Sequence, residues 1–370
     1  MTPAARTQAA IEILDDIIDA ARGEGPAADA IVKRYFKTRR YAGSKDRRAV
    51  REIVYDAIRA VGEIPDNGRA ALLGGRPDLA PHFGGEGHAP DPVLPGETPA
   101  ALGLAPHWVL ERLGERSDPA LLERAPLDLR VNTLKAKRDE LLHLGTPVAE
   151  LENALTGAPE DIAQRPEYRD GLVEIQDRGS QRIVAVADAR SGMTVLDLCA
   201  GAGGKTLALA AAMKNEGRIV AADTDWRRLG ALSPRAERAG VTNIEAVRLD
   251  PNREADALTA YDGAADVVLV DAPCSGTGTW RRNPEAKWRL TPERLDRLTA
   301  LQARLMRLGA SLVKPGGALV YAVCSLLPEE GDAQADAFAV PGFTETRRLL
   351  LTPQGEGSDG FFIVRFERDC

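Results

Sequence analysis

Cysteine is scarce in this chain: four residues in 370, at positions 199, 274, 324 and 370, with no C-x-x-C pair among them. That spacing excludes a disulfide framework and a cysteine zinc site, and it fits a reducing compartment. Histidine is equally sparse, and His82, His88, His107 and His143 form no ligand spacing, so no metal is expected. No apolar run approaches the roughly 20 residues of a membrane span, and no membrane partner is expected. The opening residues carry acidic side chains at helical periodicity in place of a signal peptide, which makes a cytoplasmic protein the expectation. Net charge is −7, so bulk charge does not announce a nucleic-acid binder and any basic surface must be local.

What is present is helical at first. Ile11, Leu14, Ile17, Ile18 and Ala21 share one face of an amphipathic helix, and further helices are predicted over 28–36 and 46–61. Residues 31–60 hold ten Lys and Arg against three acids, with Tyr35, Phe36, Tyr41 and Tyr55 interleaved. Such a stretch suits either a solvated helical face or contacts to phosphates. Residues 77–99 contain six prolines and four glycines and read as a linker. A helix at 108–113, a strand within 126–135 with Arg130 and Lys135 facing outward, a helix at 138–144 and a strand at 171–177 suggest a small α+β segment. Beyond a helix at 180–187, apolar runs and helices alternate as in a doubly wound parallel sheet, with strands predicted at 194–198, 218–222, 244–248, 265–270 and 317–323. A long helix begins at Thr291-Pro292-Glu293, and 361–366 is a last strand, expected to be antiparallel at the far side of the sheet. The predicted organisation is 1–75 helical, 76–100 linker, 101–180 α+β and 181–370 α/β.

Inside the α/β region, Asp197 closes an apolar strand and Cys199-Ala200-Gly201-Ala202-Gly203-Gly204-Lys205 forms a glycine-rich turn into a helix. Glycines there let a ligand approach the backbone, and the helix N-terminus offers free N–H groups. Asp223 ends the next strand, where a carboxylate can take both hydroxyls of a ribose. A P-loop requires a glycine where Cys199 stands, and the dinucleotide pattern fails at Thr206. The remaining pattern, D-x-x-x-G from Asp197 to Gly201, resembles the first motif of class I S-adenosylmethionine methyltransferases. Ligands of such sheets bind at the carboxyl ends of strands, which directs attention to Asp250, to Asp271-Ala272-Pro273-Cys274 and to Val323-Cys324-Ser325. Each cysteine alone reads as a small buried hydrophobe. Two on this rim suggest thiolate chemistry, because a pyrimidine carbon 5 becomes nucleophilic only when a thiolate adds to carbon 6.

Together these strings resemble the RsmB/NOP/Sun family of RNA 5-methylcytosine methyltransferases, over nearly the whole chain. Supporting matches are residues 126–135, Gln176-Asp177, Ser180-Gln181, Arg282-Asn283-Pro284 with Trp288, and Asp359-Gly360-Phe361-Phe362. The resemblance implies a class I methyltransferase fold behind a NusB-like RNA-binding helical domain. It also implies transfer of methyl from S-adenosylmethionine to carbon 5 of a cytidine in RNA, with small-subunit ribosomal RNA as the expected substrate; separately from the resemblance, a monomer is the expectation. Cys324 matches the nucleophile and Cys274 the cysteine that helps release the product. Cofactor contacts are implied for residues 199–205, Asp223, Asp250 and Asp271, with Lys205 near the target base. Basic residues at 33–51, at 130–138 and in Trp280-Arg281-Arg282 are expected to hold RNA or to be plain solvated surface. Ala202 stands where the family has proline, and Val323 where it has threonine. Two other readings stay open: amino-group methylation, which leaves Cys324 idle, and a non-catalytic RNA-binding assembly factor on the same fold.

Overall fold

The computed structural model describes residues 1–23 and 25–370. The chain divides into two compact units, one of Met1–Arg124 with Thr279–Arg294, the other of Ala125–Gly278 with Leu295–Cys370.

The first unit is helical, with α1 (Pro3–Arg22), α2 (Ala28–Thr38), α3 (Ser44–Ala60), α4 (Gly68–Gly75) and α5 (His107–Leu113). Thr2 caps α1 by accepting from the Ala5 amide, and a proline opens its first turn. The apolar faces of α1 to α3 meet in one core containing Ile13, Leu14, Ile17, Val50, Val54 and Ile58. Helix α4 had no forecast in the sequence, since its glycines mask the periodicity. Asn67 nonetheless caps it through the Ala70 amide at 2.9 Å, and Leu72 is fully buried. The late segment completes this core. Trp288 joins it, and Glu285 accepts from the Ala28 amide at 3.0 Å, satisfying the start of α2, which lacks a side-chain cap of its own. Lys287, wholly buried, donates to the carbonyls of Arg59 and Leu104 at 3.3 and 3.1 Å. Burial, and then the Arg59 charge, bring its pKa down to about 7.

The second unit holds two sheets. The smaller has the order β2–β3–β1–β4, from β1 (Leu129–Val131), β2 (Thr146–Pro147), β3 (Ala154–Thr156) and β4 (Val173–Ile175). The larger has seven strands: β5 (Thr194–Asp197), β6 (Arg218–Asp223), β7 (Ile244–Arg248), β8 (Ala265–Asp271), β9 (Val313–Val323), β10 (Phe343–Leu351) and β11 (Phe361–Arg368). Their order is β10–β11–β9–β8–β5–β6–β7, with β5 to β9 parallel and β11 antiparallel to both its neighbours, β9 and β10. Helices cover both faces, which is why the central strands are apolar at consecutive positions. Val195, Ile219, Val267 and Leu269 pack in one core with α6 (Arg178–Ala187) and α7 (Gly204–Ala212), near α8 (Leu232–Ala239). Leu196, Val220, Val268 and Val270 pack on the other face with Leu305 and Met306 of α9 (Pro292–Leu312).

The structure corrects three expectations. Strand β11 is not at the far side of the sheet. It lies between β9 and β10, and the edge is β10, whose mostly exposed residues carry no apolar alternation. The helix expected at 138–144 is a 3₁₀ segment that breaks at Leu141, where φ is −119°. Arg130 does not face outward: it is only 6% exposed and donates to Gln176 Oε1 at 2.7 Å, whereas Lys135 is exposed as expected, its ammonium donating to the carbonyls of Asp170 and Arg238. Buried as it is, Arg130 needs that acceptor.

Candidate active site

The order of the large sheet reverses beside β5, so the crevice at the carboxyl ends of β5 and β8 is where this topology admits a ligand. The glycine-rich turn lies there. Gly201 and Gly203 have φ of 54° and 81°, and a Cβ on Gly203 would come within 2.1 Å of Leu232. Glycine is therefore required on both conformational and steric grounds at that position.

Carboxylates hold the turn from two sides. Asp223 at the end of β6 accepts from the Gly201 amide and from the Asp225 amide, both at 2.7 Å. Asp197 at the end of β5 accepts from the Thr206 hydroxyl at 2.7 Å. It is 1% exposed, and burial raises its pKa to about 7, against the pull of the Thr206 hydrogen bond and with the help of the Asp271 charge. Its Oδ1 is buried and receives no hydrogen bond. Lys205 Nζ donates to Asp271 Oδ2 at 2.6 Å. Burial works against the ammonium, but the Asp271 carboxylate outweighs it and the Lys205 pKa is raised. Half-buried Cys199 is pushed well above its ordinary value, first by desolvation and then by the surrounding carboxylates.

Strands β8 and β9 are parallel neighbours, with Asp271 opposite Ala322, so Cys274 and Cys324 leave the sheet side by side. Their sulfurs are 3.3 Å apart. The Cys274 thiol is pushed well above its ordinary value, first by its hydrogen bond with Cys324, then by burial and by the charges of Cys324 and Glu330. Asp250 sits just beyond β7 with its side chain exposed, outside the hydrogen-bonded group formed by the others. No cluster of three or more His, Cys, Asp or Glu suited to a metal occurs among the described residues.

Residues 184–341 match the family model described as 16S rRNA methyltransferase RsmB/F. The chain is 35% identical over 266 residues to a probable ribosomal RNA small subunit methyltransferase B of Bacillus subtilis, covering 65% of this chain and 59% of that one. It is 32% identical over 293 residues to the ribosomal RNA small subunit methyltransferase B of Salmonella arizonae, covering 72% and 67%. The chain belongs to the RsmB/F family. Its match spans about 59 to 67% of the length of the curated relatives. The solved structure of PH0851 is 23% identical with a TM-score of 0.78, and the alignment covers 100% of this chain and 99% of that one. That likeness, at low identity, is one of fold: a class I methyltransferase sheet preceded by a helical region.

In this RsmB/F chain several residues that shape the site gave no signal in the sequence. Arg228 lies over the turn, its guanidinium 2.6 Å from where a Gly201 Cβ would stand. Arg235 donates to the Ala202 carbonyl at 2.7 Å and to Glu174 at 2.8 Å, and Gln176 donates to the Gly204 carbonyl at 3.1 Å. Neither arginine belongs to a motif or an apolar period, and only contact with the turn identifies them. Gln176 was visible as part of a family string, without a role. Trp280 and Arg281 are buried, the first completely and the second at 7% exposed, so they do not form the surface patch that their sequence suggested. Among the described residues no helix is long and apolar enough to cross a membrane.

Proposed function

We propose that this chain transfers a methyl group from S-adenosylmethionine to carbon 5 of a cytidine in RNA, with 16S-type ribosomal RNA as the substrate. The observation that carries the reading is the 3.3 Å approach of Cys274 and Cys324 at the mouth of the crevice. Neither amino-group methylation nor an assembly factor without catalysis has a use for that pair.

The turn fits the cofactor on two counts. The buried Oδ1 of Asp197 lacks a donor, which the amino group of a bound ligand supplies, and the Asp223 carboxylate keeps lone pairs for ribose hydroxyls beside its bond to Gly201. When bound, S-adenosylmethionine provides an electrophilic methyl group on positively charged sulfur. Cys324, as thiolate, forms a bond to carbon 6 of the flipped-out cytosine, and the displaced electron pair makes carbon 5 the nucleophile that takes the methyl. Lys205 and Asp271 present an ammonium and a carboxylate to the pyrimidine edge, where charge develops. Once bonded to carbon, the Cys324 sulfur no longer bears the charge that holds the proton on Cys274. Cys274 then yields its proton to water and takes the one from carbon 5. The released pair restores the ring double bond and expels Cys324 as thiolate, so both sulfurs return to their starting forms.

The helical unit is read as NusB-like and RNA-binding. In the stretch 31–60, Arg34, Arg39 and Arg51 are engaged with Asp16, Glu12 and Asp29, but Lys33, Lys37, Arg40 and Lys45 are exposed, and Tyr41 is 72% exposed beside them. Labelled methyl transfer to 16S-type transcripts, followed by nucleoside analysis, tests the whole reading. Label in 5-methylcytidine is expected; label in methyladenosine, or none in any RNA, would reject it.

A further inference from the structure

Behind the two cysteines lies a polar cluster that the reaction scheme does not use. Glu330 is completely buried, yet its carboxylate is fully engaged. Oε1 accepts from the Ser275 amide at 2.8 Å and from Gln302 Nε2 at 2.9 Å, and Oε2 accepts from the Ser275 hydroxyl. The same Gln302 amide donates to the Pro273 carbonyl at 2.9 Å. Cys274 is thus held by its neighbours on both sides, Pro273 and Ser275, and the two ties meet at one carboxylate.

The cluster also reaches the second cysteine. The Ser275 hydroxyl is 3.1 Å from that of Ser325, the residue after Cys324, and Thr277 is 3.0 Å from the same hydroxyl. Ser325 accepts from the Leu327 amide, and Thr277 from the Leu326 amide. Tyr321 on β9 donates to the Glu330 carbonyl at 2.6 Å and so holds the carboxylate's own backbone to the strand that delivers Cys324. A buried carboxylate is retained at a cost in desolvation unless several donors satisfy it, and here every donor belongs to a cysteine loop or braces one. An apolar residue of the same volume could fill this space but could not tie Pro273 to Ser275.

We propose that Glu330 is a positioning residue for the two-cysteine chemistry: its carboxylate, through Ser275 and Gln302, sets the Cys274 loop against the Cys324 loop and so fixes the approach of the two sulfurs. The proposal rests on the roles given to the cysteines above. Glu330 touches no reacting atom. Its loss leaves Cys324 able to attack, because β9 still delivers that residue, but lets Cys274 drift from the carbon 5 proton.

Two measurements on the full chain test this, using Glu330→Gln, which keeps the volume and loses the charge. The first needs neither RNA nor methyl donor. Diamide takes two electrons and two protons from a pair of thiols in contact, and peptide mapping reports the rate at which the Cys274–Cys324 disulfide forms. Wild type should close readily and Glu330→Gln at least about tenfold more slowly, the scale of one charge-assisted hydrogen bond, while the melting temperature shows that the fold persists. The second is a single-turnover reaction with 16S-type RNA. Glu330→Gln should transfer methyl within a few-fold of wild type but hold the methylated protein–RNA adduct at least about tenfold longer. A purely structural role predicts instead that transfer and release fall together. If Glu330→Gln unfolds, Ser275→Ala and Gln302→Leu each remove one tie and take the same criteria. Unchanged disulfide closure in a folded variant overturns the proposal, and so does slowed closure with adduct release at the wild-type rate. If wild type methylates no cytidine but closure is slowed by the substitution, the assigned reaction fails while the geometric role of Glu330 stands.

Discussion

Replacing Asp197 by asparagine should flatten the pH dependence of stability through the neutral range. The side chain is 1% exposed, and burial raises its pKa from the ordinary 3.8 to about 7. Between those two values the folded chain keeps a proton that the unfolded chain gives up. The folded state therefore binds more protons, and stability falls as pH rises until the folded carboxyl ionises near pH 7. One pKa unit is about 1.4 kcal/mol, so a rise from 3.8 to about 7 corresponds to a loss on the order of 4 kcal/mol. Asparagine reproduces the uncharged form: its carbonyl still accepts from the Thr206 hydroxyl, and it takes part in no proton exchange. Urea unfolding at pH 5, 6, 7 and 8 should show the variant gaining on wild type at each step, by a few kcal/mol in total. All other titrating groups are common to both chains and cancel in the difference. A difference that stays constant with pH would refute the claim that this carboxyl is held neutral by burial.

The two cysteines should behave unequally. Cys324→Ala is expected to bind cofactor and RNA without methylating or forming an adduct, whereas Cys274→Ala should stall as a methylated covalent species, seen as a slow band on a denaturing gel. Two inert core cysteines would instead give no adduct with either substitution and similar losses of stability. Asp223→Ala removes the carboxylate proposed above to hold the ribose, and charge-assisted bonds of that kind contribute roughly 1.5–3 kcal/mol. Calorimetry should therefore show S-adenosylmethionine binding weakened by about one to two decades with circular dichroism unchanged, and full affinity would remove Asp223 from the site. Changing Lys33, Lys37, Arg40 and Lys45 to glutamine should weaken RNA binding and flatten its log–log salt dependence by up to about 0.7–0.9 per lost contact. An unaltered slope returns that face to ordinary solvation.

The central strands were legible because burial on both faces leaves a continuous apolar run that polar turns delimit. Strands β5, β6 and β8 were read within a residue of their bounds, and β7, a mostly exposed strand at the opposite edge, at its own because the strand–helix alternation calls for a strand there. The cysteine pair was legible for a related reason, since two motifs ending adjacent parallel strands must emerge on one rim. Strand β10 was not, because an edge strand with most side chains in water is under little pressure to alternate. Arg130 misled because alternation separates the two faces of a strand, and it cannot tell which face another part of the chain will cover. Arg228, Arg235 and Glu330 act through contacts across the fold with no local signature, so only coordinates bring them to the site.

The helical unit draws Trp288, Lys287 and Glu285 from a segment that follows it by more than 150 residues. This has a consequence for the order of synthesis. A ribosome that has completed residue 124 has made α1 to α5 and still not the unit's last core side chain. The Ala28 amide has no carboxylate, and the carbonyls of Arg59 and Leu104 no ammonium, until residue 294 has emerged. The intervening 154 residues, which contain the glycine-rich turn and Cys274, are threaded out while the first unit is still unfinished. Neither unit can be released from the other by a single cut, and a chain that stops before residue 279 carries its helices with part of their core missing.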